Sequence, residues 1–204
     1  MIKIEHAEVY GWEAAIMGMR NPMNSWKMSD SLMGKDKFFV GKADMDLMKR
    51  LVKAGSDHRK FMRFITVTLD ITAPLYWWKE YDTYKVGTVA NSCSTMHKIH
   101  AKEFTLDDFS HEHLCTVSGY DLMNTMDTLN HFRDLYIKTK DKEYWWQMVQ
   151  LLPSSYNQKR TFLLNYEVLR NMYHARKNHK LDEWHDLCAW IESLPYSELI
   201  TMEG

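Results

Sequence analysis

The stretch Phe64-Ile65-Thr66-Val67-Thr68-Leu69-Asp70-Ile71-Thr72 decides the fold class. Most of its residues are β-branched, and apolar and polar side chains broadly alternate along it, which is typical of a strand with one buried face. The strand is expected to end at Ala73-Pro74, because proline has no N–H to donate to a sheet. Since proline suits the first turn of a helix, the pattern also predicts a helix through residues 75–80.

Helical periodicity recurs on both sides of this strand. Apolar residues at helical spacing predict helices at residues 12–19, 43–54, 118–138, 142–151, 166–175 and 181–194. Short strands are predicted near the N-terminus, around Ile2 and Ile4, and at residues 161–164. The stretch from Asn24 to Gly41 has no clean period and is interpreted as a surface loop. Together these elements predict an α+β fold in which a sheet packs with several long helices.

The composition of the chain is that of an ordinary globular protein. Its 204 residues suffice for one sizeable core, so a single domain over residues 1–204 is expected. The net charge of −1 gives no overall attraction to nucleic acid or to anionic membranes, and neither is expected as a partner. Cys93, Cys115 and Cys188 are too few and too widely spaced for a disulfide framework, which indicates a reducing compartment. No apolar run reaches signal-peptide or membrane-spanning length, so the expected location is the cytoplasm.

Common catalytic and metal-binding signatures are absent from the sequence. It contains no GxGxxG, no P-loop, no GxSxG and no HExxH. His97 and His100 are spaced i, i+3, and His111 and His113 are spaced i, i+2. Either pair could chelate a metal, but such spacing alone is weak evidence for a metal site. Surface histidines are the favoured interpretation of both pairs, and no metal is predicted.

Two basic clusters and one small-residue segment are candidates for ligand binding. Arg59 and Arg63 lie just before the central strand, and Arg176 follows the helix predicted at 166–175. Arginine forks suit phosphate, but basic residues near helix ends also decorate solvated faces, and both interpretations stay open for Arg59 and Arg176. Between Asp82 and Thr95 the residues are small and polar, as in loops that wrap ligands.

In two blocks the order of elements resembles the flavin-dependent thymidylate synthase family. The first block, residues 47–74, has a helix, a Gly-containing turn, a basic stretch and a strand ending in proline. The second runs from Leu152-Pro153 through Asn165 and Arg176 to Trp184, where the family similarly shows LP, a strand ending in Asn, a helix, an Arg and a Trp. The resemblance implies a mixed sheet packed with several long helices, and a homotetramer whose subunits share active sites.

The most specific family motif is rewritten in this chain. Where the family has an RHR triplet that grips flavin, the chain has Thr83-Tyr84-Lys85, and only Lys85 keeps a charge. Where the family closes the next loop with Ser-Gly-Arg, the arginine that would hold the substrate phosphate is Thr95. Each lost arginine–phosphate contact is worth roughly 1.5–3 kcal/mol, so binding weakens by orders of magnitude unless other groups replace them.

The resemblance implies roles for individual residues. Arg176 matches the arginine that contacts and activates the pyrimidine nucleotide, and Asn165 matches a position near the flavin. His179 lies one position from the family's flavin-contacting histidine. The other candidates follow from their location alone. They are Arg59, Arg63, Tyr84 and Lys85 for the cofactor, and Asn91, Ser92 and Ser94 for the substrate.

Two functions of different classes follow from this comparison. The leading hypothesis is an enzyme of pyrimidine biosynthesis that uses FAD to transfer a one-carbon unit from a folate to C5 of dUMP or a related pyrimidine nucleotide, a methyltransferase-type reaction. The alternative is a relative without catalysis that binds or sequesters a nucleotide or cyclic nucleotide through hydroxyls and backbone N–H groups.

Overall fold

The computed structural model describes residues 2–35 and 38–203. The strands are β1 (Lys3–Tyr10), β2 (Leu32–Met33), β3 (Phe38–Phe39), β4 (Thr66–Pro74), β5 (Val89–Ser92) and β6 (Asn157–Asn165). The helices are α1 (Trp12–Arg20), α2 (Lys42–Lys53), α3 (Leu75–Tyr81), α4 (Thr116–Thr139), α5 (Lys142–Leu151), α6 (Tyr166–Arg176), α7 (Asp182–Glu192) and α8 (Glu198–Thr201). One sheet has the strand order β1-β4-β6-β5, and β2 pairs with β3 separately. The predicted α+β class is therefore confirmed.

The central strand behaves as its sequence predicts. In β4 the alternate residues Val67, Leu69, Ile71 and Ala73 are buried, while the threonines between them are half-buried. The strand starts two residues later than predicted and extends to Pro74. The predicted helices are confirmed to within two residues at each end.

Two sequence-based interpretations of loops are corrected. The stretch from Asn24 to Gly41 contains β2 and β3, which pair antiparallel with Leu32 opposite Phe39. The segment between Asp82 and Thr95 contains β5, whose four residues are all exposed. Strands of two to four residues without a buried face leave no alternation in the sequence, which is why these elements were missed. Within residues 2–35 and 38–203, no helix combines the length and hydropathy needed to cross a membrane.

The chain divides into two compact units, and the prediction of one domain over residues 1–204 stays a prediction. The first unit comprises residues 2–4, 70–83 and 90–161. Its apolar core brings α4 and α5 together with the preceding loop, and its buried members are Ile99, Phe104, Phe109, Leu122, Leu129 and Met148. Lys140 ends α4 in the left-handed conformation, and Asp141 caps α5 by accepting a 2.9 Å hydrogen bond from the Glu143 N–H.

The second unit comprises residues 5–69, 84–89 and 162–203. Here β6 passes into α6 without an intervening residue, and the fully buried Tyr166 begins the helix. The Tyr166 hydroxyl donates to the Pro195 carbonyl at 2.6 Å, and the Trp12 ring meets the Tyr166 and Tyr196 rings edge-on. These aromatic contacts join α1, α6 and the segment after α7 into one core.

A fully buried carboxylate organises the N-terminal part of the second unit. Asp44 of α2 accepts a 2.6 Å hydrogen bond from Nε of the buried Arg20. Its other oxygen accepts from the Ser29 and Ser31 hydroxyls at 2.7 and 2.6 Å and from the backbone N–H groups of Asp30 and Ser31. Burial alone would raise the pKa of Asp44, but the hydrogen bonds from Ser31, Ser29 and Arg20 outweigh it and hold the pKa below its ordinary 3.8.

We expect Asp44→Asn to lower the free energy of unfolding by about 3–5 kcal/mol, because it leaves the buried Arg20 charge without its counterion. Because the folded-state pKa of Asp44 is depressed, its stabilisation is present above pH 3.8 and is lost as the pH falls below that value. Urea unfolding of the wild type and the variant between pH 3 and pH 7 measures both effects. Asp46→Asn is the matched control, since Asp46 lies exposed on the same helix. An equal, small loss in both variants would contradict the expectation.

Candidate nucleotide site

The loop at residues 84–88 lies along α6 in the second unit. A Cβ on Gly87 would sit 3.4 Å from Nδ2 of Asn165 and 3.4 Å from Cγ2 of Val168, so the loop backbone reaches the first turn of α6. Gly87 has φ +78°, a conformation that favours glycine. At the other end of the helix, the Tyr84 hydroxyl accepts a 3.0 Å hydrogen bond from Nε of Arg176. The loop and the Tyr84 side chain together therefore reach both ends of α6, a helix of eleven residues about 16 Å long.

An aromatic frame holds the guanidinium of Arg176. Its Cζ lies 4.7 Å from the centroid of the Trp184 ring and 5.6 Å from the centroid of the Tyr84 ring. The two rings are 6.0 Å apart and inclined at 65°. Trp184 is fully buried in α7, so the frame is rigid on that side. Each cation–π contact contributes roughly 0.5–2 kcal/mol, and together with the hydrogen bond they restrict the orientation of the guanidinium plane.

His179 shapes the turn that leads from α6 to α7. Its Nδ1 accepts a 3.2 Å hydrogen bond from the Leu181 N–H, and its backbone N–H donates to the Arg176 carbonyl. Its ring centroid lies 6.1 Å from that of Trp184. The structure thus brings His179 and Arg176 to the same aromatic residue, with the Nδ1 of His179 used within the turn.

Asn165 is the N-cap of α6. Its Oδ1 accepts a 3.0 Å hydrogen bond from the Val168 N–H, which satisfies one of the free amides of the first turn. Because its Oδ1 is used in this way, its Nδ2 is the end of the amide that faces Gly87. The side chain available to a ligand is therefore a donor.

The three basic cofactor candidates differ in whether they form an ion pair with a carboxylate. Nε of Arg59 lies 3.1 and 3.0 Å from the two carboxylate oxygens of Glu167, and both side chains are largely buried. This pairing neutralises Arg59 locally. Arg63 and Lys85 are exposed, and neither forms an ion pair with a carboxylate in the described part of the chain. Of the three candidates, Arg63 and Lys85 are thus the ones whose charge is not neutralised by a carboxylate of the described residues.

The substrate candidates Asn91, Ser92 and Ser94 belong to the first unit. Asn91 and Ser92 are exposed residues of β5. The Ser94 hydroxyl accepts hydrogen bonds from the backbone N–H groups of Met96 at 3.2 Å and His97 at 2.8 Å. Ser94 therefore caps a turn of the loop after β5, and its hydroxyl hydrogen remains free to donate.

Two residues that contribute to the site were not proposed from the sequence. Trp184 was named only as the end of the second family-like block, without a role at a site, and Glu167 was not singled out. Each of them contacts an arginine that no local pattern links to it. Glu167 pairs with Arg59, which is 108 residues away, and Trp184 contacts Arg176 from another helix. No local pattern reports such pairings, because they depend on how the elements pack.

Comparisons with known proteins establish the fold of this chain and nothing beyond the fold. No protein-family model matches the chain, and no curated protein matches it by sequence. The chain nevertheless has the fold of the flavin-dependent thymidylate synthases. Thymidylate synthase X from Helicobacter pylori, solved with FAD and dUMP, superposes with a TM-score of 0.70 at 17% identity, covering 100% of this chain and 98% of that one. A second structure of the Helicobacter pylori enzyme with FAD and dUMP gives a TM-score of 0.69 at 17% identity, covering 99% and 97%.

A double-mutant cycle between Tyr84→Phe and Arg176→Gln should reveal coupling of about 1 kcal/mol or more in the free energy of unfolding, because each substitution removes one partner of the same hydrogen bond. Chemical denaturation of the wild type, both single variants and the double variant measures it. The control cycle pairs Arg176→Gln with Tyr10→Phe, a half-exposed tyrosine of the same unit that does not contact Arg176. Additive effects within about 0.3 kcal/mol for the Tyr84 pair would show that the contact contributes nothing.

Proposed function

We propose that this chain binds FAD and a pyrimidine nucleotide and transfers a one-carbon unit from a folate to C5 of dUMP or a related nucleotide. The observation that supports it best is the Arg176 guanidinium, held by Tyr84 and Trp184 inside a fold shared with an enzyme solved with FAD and dUMP. An arginine is always charged, so a guanidinium held in one orientation polarises a uracil carbonyl without needing to be reorganised. We further propose that the protein is a homotetramer.

The residues present are suited to bind FAD. They offer fewer positive charges than the family motif does. Arg63 and Lys85 are exposed cations suited to the pyrophosphate, and the Asn165 amide nitrogen is a donor suited to the flavin ring or the ribityl chain. Arg59 contributes less, because Glu167 already neutralises it. When bound, the flavin supplies the hydride chemistry. The proposed part of this chain is to bind and orient the ligands, with Arg176 acting on the pyrimidine and Asn91, Ser92 and Ser94 on the nucleotide.

One observation favours the second candidate, a nucleotide or cyclic-nucleotide binder without catalysis. Two arginines that the sequence assigned to ligands, Arg176 and Arg59, are hydrogen-bonded to Tyr84 and Glu167 inside the protein. A guanidinium that already has internal partners binds a ligand only with the donors that remain. A protein that had lost flavin binding would retain this arrangement without penalty.

Binding and turnover with an Arg176→Ala variant test the proposal. We expect FAD and dUMP together to raise the melting temperature. We expect the pair plus a methylene-folate and dithionite, which reduces the flavin, to release the C5 hydrogen of dUMP as a proton. Arg176→Ala should weaken dUMP binding about tenfold or more, equivalent to about 1.4 kcal/mol, and abolish release of hydrogen. Arg50→Ala is the matched control, since Arg50 is an exposed arginine of α2 whose Nε bonds only its own helix.

The outcomes separate the two candidates. Stabilisation by a nucleotide without uptake of FAD would favour the binder and contradict the enzyme. If neither FAD nor any nucleotide raises the melting temperature, both candidate functions are wrong. An equal effect of Arg176→Ala and Arg50→Ala on dUMP affinity would remove Arg176 from the site.

A further inference from the structure

A cleft of about 1,020 Å³ lies within the second unit. It is bounded by the end of β1, the first turn of α1, the paired strands β2 and β3 and the segment that follows α7. Its volume is close to the upper end of the roughly 300–1,000 Å³ that is usual for small-molecule sites. Its described lining includes the aromatic rings of Tyr10, Trp12, Phe38, Phe39, Trp190 and Tyr196. The cleft is therefore large enough for a small molecule and offers it much aromatic surface.

Hydrogen bonds and ring contacts hold the walls of this cleft together. The Tyr196 hydroxyl accepts a 2.9 Å hydrogen bond from the Val40 N–H and donates to the Phe38 carbonyl at 3.4 Å. The Trp12 ring meets the Tyr196 ring edge-on, with the ring centroids 5.0 Å apart. These contacts join β3, α1 and the segment after α7 around the cleft. Because the walls are already fixed, little ordering entropy would be lost when a ligand binds.

Two residues of the lining have unusual backbone conformations. Gly11 has φ +86°, and a Cβ there would lie 2.0 Å from the Phe64 carbonyl oxygen, so this position requires glycine. Tyr196 has φ +54°, a left-handed conformation that is uncommon for a residue with a side chain. Strained residues of this kind cluster at active sites and ligand clamps. Their presence at this cleft favours a binding role for it.

The charge at the cleft is negative. Glu13 is the charged residue among the described lining, and it is exposed and forms no ion pair with a basic side chain of residues 2–35 and 38–203. Glu13 lies in the first turn of α1, where its charge offsets the positive end of the helix dipole, so the free amides of that turn do not favour an anion. The faces of aromatic rings also carry partial negative charge. A carboxylate and several aromatic rings together attract a cation.

We propose that this cleft binds an organic cation with an apolar body, a quaternary or alkylated ammonium, with Glu13 as its counterion. The rings of the lining bind the ammonium through cation–π contacts and the apolar body by removing its surface from water. Tyr10 and Phe39 are 51% and 45% exposed, so their rings are accessible to such a ligand. The ligand is neither FAD nor a nucleotide. The inference therefore goes beyond the proposed function and is the same for an enzyme or a binder.

Calorimetric titration with two isosteric probes tests which charge the cleft selects. The probes are para-hydroxyphenyl trimethylammonium and para-tert-butylphenol, which differ only in having a quaternary nitrogen or a quaternary carbon. We expect the wild-type protein, without FAD or nucleotide, to bind the cation about tenfold or more tightly than the neutral probe. Its affinity for the cation should fall as the ionic strength rises from about 0.01 M to about 0.15 M, because salt screens the attraction between charges. Its affinity for the neutral probe should not fall.

Variants of two lining residues test how the cation is held. Glu13→Gln should weaken binding of the cation about threefold or more and change binding of the neutral probe less than about twofold, because it removes the charge and keeps the shape. Glu13→Asp should keep most of the affinity, which shows that the glutamine variant fails through its charge. Tyr10→Leu should weaken binding of the cation about twofold more than binding of the neutral probe, since it removes a ring but keeps an apolar side chain. The matched controls are Glu8→Gln and Phe64→Leu, at exposed positions of the same unit outside the described lining.

Each outcome supports or overturns the assignment. Equal affinity of the wild type for the two probes, or tighter binding of the neutral probe, would overturn the choice of a cation. An equal loss of cation affinity in Glu13→Gln and Glu8→Gln would show that Glu13 is not the counterion, and the proposal would be wrong. If neither probe binds, as when a second copy of the chain covers the cleft, the site itself is wrong. Because these titrations contain no FAD and no nucleotide, each of these failures leaves the proposed function standing.

Discussion

The hydrogen bond from the Val168 N–H to the Asn165 side chain, 3.0 Å long, fixes the point at which β6 becomes α6. The first turn of α6, like that of every α-helix, has amides without an intrahelical acceptor, and the cap satisfies one of them at a gain of about 1 kcal/mol. Glu167 lies in the same first turn, where a carboxylate is favoured by the helix dipole, and there it pairs with Arg59. The direction of α6 then determines where Arg176 stands at its other end. The candidate site of the second unit therefore depends on this junction.

More of the arginine side chains are buried or half-buried than are exposed at the surface. Arg20 is buried against Asp44, Arg170 donates to the Ile200 and Met202 carbonyls, Arg59 pairs with Glu167, and Arg176 bonds Tyr84. A guanidinium has five donors and is weakly hydrated, so it suits such buried positions. The exposed cofactor candidates are then Arg63 and Lys85, and of these only Lys85 lies in the rewritten motif. A lysine ammonium is a compact and flexible charge that binds phosphate without the fixed fork of arginine. Under the proposed function, the rewritten motif would therefore bind phosphate with less geometric constraint than the family's arginines impose.

Much of the architecture could be predicted because it follows local periodicity. The alternation of β4 and the apolar stripes of the long helices depend only on which face of an element is buried. The spacing of apolar residues along the element shows which face that is. β5 was missed because all four of its residues are exposed, so no alternation marks it. Arg176 and Asn165 were proposed from the resemblance in order and motifs. Their actual partners, Trp184, Tyr84 and Gly87, follow from packing between segments far apart in the chain.

By itself, the sequence determined the α+β class, the positions of the helices and the loss of charge at Thr83-Tyr84-Lys85. The first two are properties of composition and spacing, whereas the loss of charge is what the resemblance to the family motif implies. Only the tertiary structure decided which basic side chains are paired with carboxylates and which are exposed and unpaired within the described residues. Arg59 and Lys85 are both basic candidates in the sequence, yet Arg59 is paired with Glu167 and Lys85 forms no ion pair within the described residues. The reason is physical: whether a charge can serve a ligand depends on its counterions, and these are set by contacts between residues that are distant in the chain.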